Sequence, residues 1–259
     1  MQEKVHVNST LELLDKLIDN LVPFDLSKFI SFRGAYVYSE PIRCANQIIY
    51  RGDEYVDFDT EAIVHLNLPE QLSLYQRIAD KQGIKARHGT MKESLEAAWS
   101  DETKEFKEKV LRYWLYNGEV IRKLGKAFDI SRVVGMEYRE VKSVDAVCER
   151  DGKLLETEGV SMSLVPVIKL GPTLQTEIPT TSGFYSEFSG VIPVDKELGD
   201  RTEKTRGDWG RIYFDKTGLS AVGSLWDSGV GTFGTYAYEP LRGIRDTGIG
   251  LWSDENPKR

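Results

Sequence analysis

Four charged residues near the C-terminus have types and spacings that suit chemistry: Arg211, Lys216, Asp227 and Glu239. Arg211 precedes the strand-like run Ile212-Tyr213-Phe214, and Lys216 lies in the turn signal Asp215-Lys216-Thr217-Gly218. Asp227 sits before Ser228-Gly229, and Glu239 closes the alternating run Tyr236-Ala237-Tyr238. A guanidinium forks onto two oxygens of a phosphate and an ammonium adds a compact charge, so the Arg–Lys pair suits a phosphorylated ligand. A carboxylate held beside such a ligand can take a proton from water. Taken singly, Glu239 also reads as a strand-end charge and Asp227 as a turn former.

Other motifs in the chain lack the context their chemistry needs. Gly229-Val230-Gly231-Thr232-Phe233-Gly234 spells a dinucleotide fingerprint, but Thr235 to Tyr238 alternate like a strand where a helix is required. The six residues read instead as a tight turn between strands. Asp215-Lys216-Thr217-Gly218 matches the phosphorylated motif of large membrane ATPases, in a chain with no membrane-length apolar run. His88-Gly89-Thr90 resembles half of a two-histidine phosphoesterase site, with His65-Leu66-Asn67 a poor second half, and a helix cap at Thr90 accounts for it. The triplets Arg51-Gly52-Asp53 and Arg206-Gly207-Asp208 carry no further context.

The run from Gly210-Arg211 to Gly218-Leu219, then Asp227-Ser228-Gly229, then a strand bearing Glu239, resembles the dUTPase and dCTP deaminase superfamily. Upstream, Ser143-Val144-Asp145 is similar to that family's S-V-D strand, and Leu170-Gly171-Pro172-Thr173-Leu174 to its L-x-P-G turn and strand. The likeness spans about 115 residues, from Ser143 onward. Ile212-Tyr213 stand where the family has a serine pair that helps to hold the triphosphate. The resemblance implies a pyrimidine deoxynucleoside triphosphate as ligand, bound by Arg211, Lys216, Tyr213 and Asp145. In a deaminase Glu239 would activate a water for attack on cytosine; in a dUTPase Asp227 would orient a water for attack on the triphosphate. It further implies Mg2+ carried on the phosphates, a distorted β-barrel or jelly-roll-like domain, and a homotrimer with sites between subunits.

The elements that must position these residues change character along the chain. Residues 9–22 read as a helix, with Ser9 and Glu12 as a capping box and Leu11, Leu14, Leu17, Ile18 and Leu21 at helical spacing. Residues 29–66 read as short strands at Phe29 to Phe32, Gln47 to Tyr50, Val56 to Phe58 and Ala62 to His65. Residues 68–125 read as helical: Asn67 with Pro69 opens one helix and Gly83 stops it, Thr90 and Glu93 cap a second, and Asp101 opens the longest, ending at Gly125. Beyond residue 128, strands are expected at Val133 to Val141, Val144 to Cys148, Leu154 to Val160 and Ser163 to Leu170, with Asp151-Gly152 a hairpin signal. The fold expected is α+β, with a helix-rich region at 1–127 and a mainly antiparallel β domain at 128–259.

Bulk properties narrow the function classes. The chain has 259 residues, 40% hydrophobic and 29% charged, ordinary for a globular protein with a real core. A net charge of −7 argues against a nucleic-acid backbone as the main partner. Two distant cysteines, Cys44 and Cys148, make no disulfide framework, and a reduced cytoplasmic compartment is expected. Three scattered histidines leave no zinc motif. Two other classes stand beside the nucleotide reading: an RNA-binding protein of the CRISPR repeat-associated type, with a Gly-rich C-terminal loop, and a viral structural or interaction protein.

Overall fold

The computed structural model describes residues 3–45, 47–51, 54–55, 62–124, 127–142, 147–155, 161–176, 212–214, 219–227, 232–239 and 247–257. The architecture is mixed α/β, with four helices against three sheets among those residues.

β1 (Glu3–Val7) leads into α1 (Thr10–Asp19). Ser9 Oγ accepts from the Glu12 N–H, as the capping signal predicts, while the Glu12 carboxylate reaches back to the Asn8 N–H rather than to that of Ser9. The helix buries Leu13, Leu14 and Leu17 and ends before Leu21, which bridges to Cys44. β2 (Phe29–Phe32) and β3 (Ala35–Tyr38) form a hairpin through Arg33 and Gly34, both at positive φ, the backbone of a tight two-residue turn. β4 (Gln47–Arg51) pairs in parallel with β1 and antiparallel with β5 (Glu54–Tyr55). The strand expected at Ala62 to His65 is absent: the Ile63 N–H donates to Ile42 O and His65 has φ +63°, outside the strand region. Val56 to Phe58 lies outside the described residues.

α2 (Leu68–Gln82) carries a complete Asn67–Glu70 capping box and a left-handed Gly83 at its C-terminal end; α3 (Met91–Trp99) carries a complete Thr90–Glu93 box. The long helix expected from Asp101 to Gly125 does not form. Only α4 (Lys104–Lys109) is helical, and β6 (Trp114–Leu124) is a strand. Its run Trp114-Leu115-Tyr116 with Val120-Ile121 is aromatic and β-branched, and it has strand neighbours on both edges, so ladder pairing outweighs the helical spacing. The N-terminal region therefore holds strands as well as helices.

β7 (Ala127–Lys142) runs antiparallel to β6. β8 (Val147–Arg150) and β9 (Lys153–Leu154) are joined by Asp151-Gly152, with φ +51° and +73°, the turn that the Asp-Gly pair predicts. The strand expected at Leu154 to Val160 stops at Leu154, and residues 156–160 lie outside the described ones. β10 (Met162–Thr176) pairs with β7 along most of its length, with a bulge that leaves Val134 unregistered. β11 (Ile212–Phe214), β12 (Leu219–Asp227) and β13 (Thr232–Glu239) complete the large sheet, in the order β11-β13-β12-β6-β7-β10-β8-β9. Among the described residues this path is open, with β11 and β9 at its ends. Residue 127 opens β7, so the division expected there falls within the β6–β7 pair.

The C-terminus returns to the N-terminal elements. β14 (Thr247–Gly248) pairs with β6, and β15 (Trp252–Ser253) pairs with β3. Trp252, 1% exposed, meets Phe106 edge-on at 5.7 Å. Gly89 gives its indole room: a Cβ there would stand 2.5 Å from Trp252 Nε1. The main core joins α1 and α2 to Ile249 and Leu251; a second cluster sits under the large sheet around Leu68, Tyr116, Val120 and Ile168. No helix among the described residues is long and apolar enough to cross a membrane.

Candidate functional site

The hairpin β12–β13 carries both candidate carboxylates, and its register fixes where each lies. Glu239 is opposite Ala221, near the start of β12, and Asp227 is opposite Thr232, at its end. Six positions along β12 (221 to 227) separate the two ends, roughly 20 Å at about 3.3 Å per residue. The chain thus does not bring Asp227 and Glu239 to one point. β11 runs parallel to β13, with Tyr213 opposite Tyr236 and Phe214 opposite Ala237. Phe214, two residues from Glu239 in register, is where the chain leaves toward Lys216; Leu219, where it re-enters, is two residues from Ala221. Both anchors of the Lys216 segment therefore lie at Glu239's end of the hairpin. Arg211, Lys216 and Asp145 themselves lie outside the described residues. Thr232 to Glu239, where a dinucleotide fingerprint needs a helix, is strand β13.

A second polar cluster escaped the sequence reading. Arg87 meets Glu93 in a bidentate pair, each contact 2.8 Å. Its Nε and Nη2 both donate to Asp254 Oδ1, and Nη1 also donates to His88 O. All five guanidinium hydrogens are thereby used. Burial pulls the Arg87 pKa down, and the hydrogen bonds to Glu93 and Asp254 more than offset it, leaving it above the ordinary value. Burial likewise pushes Glu93 up, while Arg87 and the Thr90 backbone hold it lower overall. This Arg fastens the C-terminal strand to the start of α3 and has no hydrogen left for a ligand. Glu93 was legible as a capping residue; the Arg87–Asp254 contact was not, because those residues are 167 positions apart.

Beside it, Gln71 Nε2 donates to Leu66 O at 3.0 Å and to Gly248 O at 3.1 Å. Its Oε1 must then accept, so His88 Nε2, 2.9 Å away, is the protonated nitrogen. Tyr75 packs edge-on against the imidazole at 4.7 Å and donates to Gly250 O. Burial, with the Arg87 charge adding to it, lowers the His88 pKa to about 3. The helix cap at Thr90 forms as its sequence implies, so His88-Gly89-Thr90 leads from the isolated Arg87–Trp252 bridge into α3.

Among the described residues no group of three or more His, Cys, Asp or Glu side chains is placed to hold a metal ion. Neither Cys44 nor Cys148 is in a disulfide, and burial raises the Cys44 thiol to about 12. Comparison of the chain with protein-family models, with curated proteins and with solved structures gave no match.

Proposed function

We propose that the β11–β13 module binds a pyrimidine deoxynucleoside triphosphate and acts on it with a water activated by Glu239. The observation that carries this reading is the register: Glu239 and both anchors of the Lys216 segment share one end of the hairpin. A carboxylate and a cation at one strand end are what a phosphate-bearing ligand and a hydrolytic water require. In this reading Glu239 takes a proton from water as the oxygen adds to C4 of cytosine, then hands that proton to the amino group, which leaves as ammonia while C4 becomes the carbonyl carbon. Arg211 and Lys216 hold the phosphates, with Tyr213 and Asp145 completing the ligand contacts. Mg2+, when bound, would neutralise phosphate charge and be held mainly by the phosphate oxygens.

The same separation bears on assembly. Asp227 is roughly 20 Å from Glu239 by strand geometry, so one site using both carboxylates would be built by two copies of the chain. A homotrimer with sites between subunits, and a sheet curled toward a barrel, would satisfy that requirement.

The test is turnover of dCTP and dUTP by the purified protein, read as ammonia and pyrophosphate. Wild-type protein is expected to release ammonia from dCTP. Glu239→Gln should lose that release by at least about a hundredfold, the usual scale of general-base loss, while still gaining thermal stability from dCTP. Absence of turnover together with absence of any thermal shift by deoxynucleotides would refute the reading.

A further inference from the structure

A groove of about 1470 Å3 runs between α1, α2 and β7. That exceeds the roughly 300–1,000 Å3 of a compact small-molecule pocket. The groove is long: every residue of β7 from Arg132 to Tyr138 lines it, roughly 20 Å of strand at about 3.3 Å per residue. Four large apolar side chains line it and yet stand in solvent: Leu11 at 63% exposure, Val134 at 61%, Tyr138 at 47% and Leu164 at 66%. Tyr138 pairs with Pro166 and Glu140 with Leu164, so Tyr138 and Leu164 are diagonal neighbours on one face of the β7–β10 ribbon. Leu11 lines the groove from α1. A single exposed leucine is ordinary, but several around one concavity mark a binding surface.

The charges decide which apolar ligand suits it. Among the described residues the lining holds four cations, Arg77, Lys85, Arg87 and Arg132, against two carboxylates, Asp80 and Glu137, in a chain of net charge −7. Three of the cations are committed. Arg77 pairs with Asp15, Lys85 with Glu255 at 2.7 Å, and Arg87 has no hydrogen left. Glu137 is neutralised by Lys169 at 2.7 Å, and Asp80 accepts from Gln76. Arg132 differs. Its side chain is 47% exposed, and its one ion-pair partner among the described residues, Asp254 Oδ2, stands 3.7 Å away, beyond hydrogen-bond range. Arg87 already holds that aspartate through Oδ1. Arg132 thus brings an available guanidinium to one end of the β7 lining, and Tyr138 and Leu164 bring an apolar wall to the other. The roughly 20 Å between them suits a long acyl chain, which reaches about half-way across a bilayer core of roughly 30 Å. We infer that the groove binds a single-chain anionic amphiphile, a long-chain carboxylate, with Arg132 forking onto the carboxylate and the chain lying along Val134, Tyr138, Leu164 and Leu11. The site is independent of the nucleotide reading, since no described residue of β11, β12 or β13 lines the groove.

Palmitate, hexadecanol and octanoate separate the two halves of the site. The first two share a chain and differ in charge; the first and third share a carboxylate and differ in length. Equilibrium dialysis below micellar concentrations reads each affinity. Wild-type protein should bind palmitate at least about tenfold more tightly than hexadecanol, the worth of one hydrogen-bonded contact between charged groups. It should bind palmitate at least about a hundredfold more tightly than octanoate, which lacks half the methylenes. Arg132→Gln should bring palmitate down to the affinity of hexadecanol, and Leu164→Asp should weaken both. Both side chains are exposed, and circular dichroism checks that each variant is folded. No binding of palmitate, equal affinities for palmitate and hexadecanol, or palmitate no tighter than octanoate would each overturn the inference. So would folded variants that bind palmitate as wild type does. The wild-type series decides the matter even if a variant fails to fold.

Discussion

Acid should destabilise this protein through one histidine before its carboxylates come into play. His88 has its folded-state pKa lowered to about 3, first by burial and then by Arg87, from an ordinary value of 6.5. Protonation would add a second N–H to a ring that is 3% exposed and whose Nδ1 has no partner to receive it. Between the two pKa values the unfolded chain binds one more proton than the folded chain. His88 stability is therefore fully present above about pH 6.5 and is lost as the pH falls toward 3. The slope approaches about 1.4 kcal/mol per pH unit, and the full window of roughly 3.5 units gives an upper bound of about 5 kcal/mol. Glu93 and Asp254, both held below their ordinary values, lose their contribution only at lower pH, below about their ordinary values of 4.5 and 3.8. Urea denaturation at a series of pH values from about 7 to 5 isolates the histidine. Wild-type stability should fall by about 1–2 kcal/mol across that range, and His88→Gln, which keeps a donor toward Gln71 but has no group that titrates, should flatten most of the fall. Equal slopes for the two proteins would refute the buried, neutral assignment.

Two other substitutions probe the frame that holds the sites. Trp252→Ala should cost about 3–5 kcal/mol in chemical denaturation, the range for emptying a buried aromatic site, because its ring is 1% exposed and seats β15 on Phe106 and Phe32; a loss under about 1 kcal/mol would show that the C-terminal strand is dispensable. Gly152→Ala should cost about 1–2 kcal/mol, since Gly152 sits at φ +73° in the β8–β9 turn with open space around it, and an unchanged melting temperature would contradict that turn.

Several local signals survived folding because their chemistry is local. The Asn67–Glu70 and Thr90–Glu93 boxes formed in full, and Asp151-Gly152 formed its turn, because each needs only a few adjacent residues to satisfy backbone donors or supply positive φ. Failures came where distant strands compete. Leu115, Ile121 and Leu124 fit a helical stripe, yet β6 is a strand because β12 and β7 offer partners to both its edges. β7 follows β6 at once, but β12 lies about a hundred positions further on, outside any window around residue 115. The C-terminal clasp was illegible for the same reason: Tyr75 to Gly250 and Arg87 to Asp254 span more than 160 positions. The candidate site was read from residue types, and the register adds that Glu239 and the anchors of the Lys216 segment lie at one end of the hairpin and Asp227 at the other.

That register also sharpens the choice between two chemistries. An Asp227-centred site would stand at the β12–β13 connection, opposite Thr232, far along the hairpin from the anchors of the Lys216 segment. A Glu239-centred site stands beside those anchors. Charge attraction falls with distance and is screened within about 10 Å at ordinary salt, so a cation held near Glu239, as we propose, would not steady a phosphate acted on at Asp227 of the same chain. Under the proposed function, Glu239 and the Lys216 segment would therefore be the more economical pair within one chain. Asp227 then either serves a neighbouring copy or does no more than shape its turn. Asp227→Asn separates these: a loss of dCTP turnover, rescued by mixing with Glu239→Gln protein, requires a shared site, whereas unchanged turnover leaves Asp227 a turn residue.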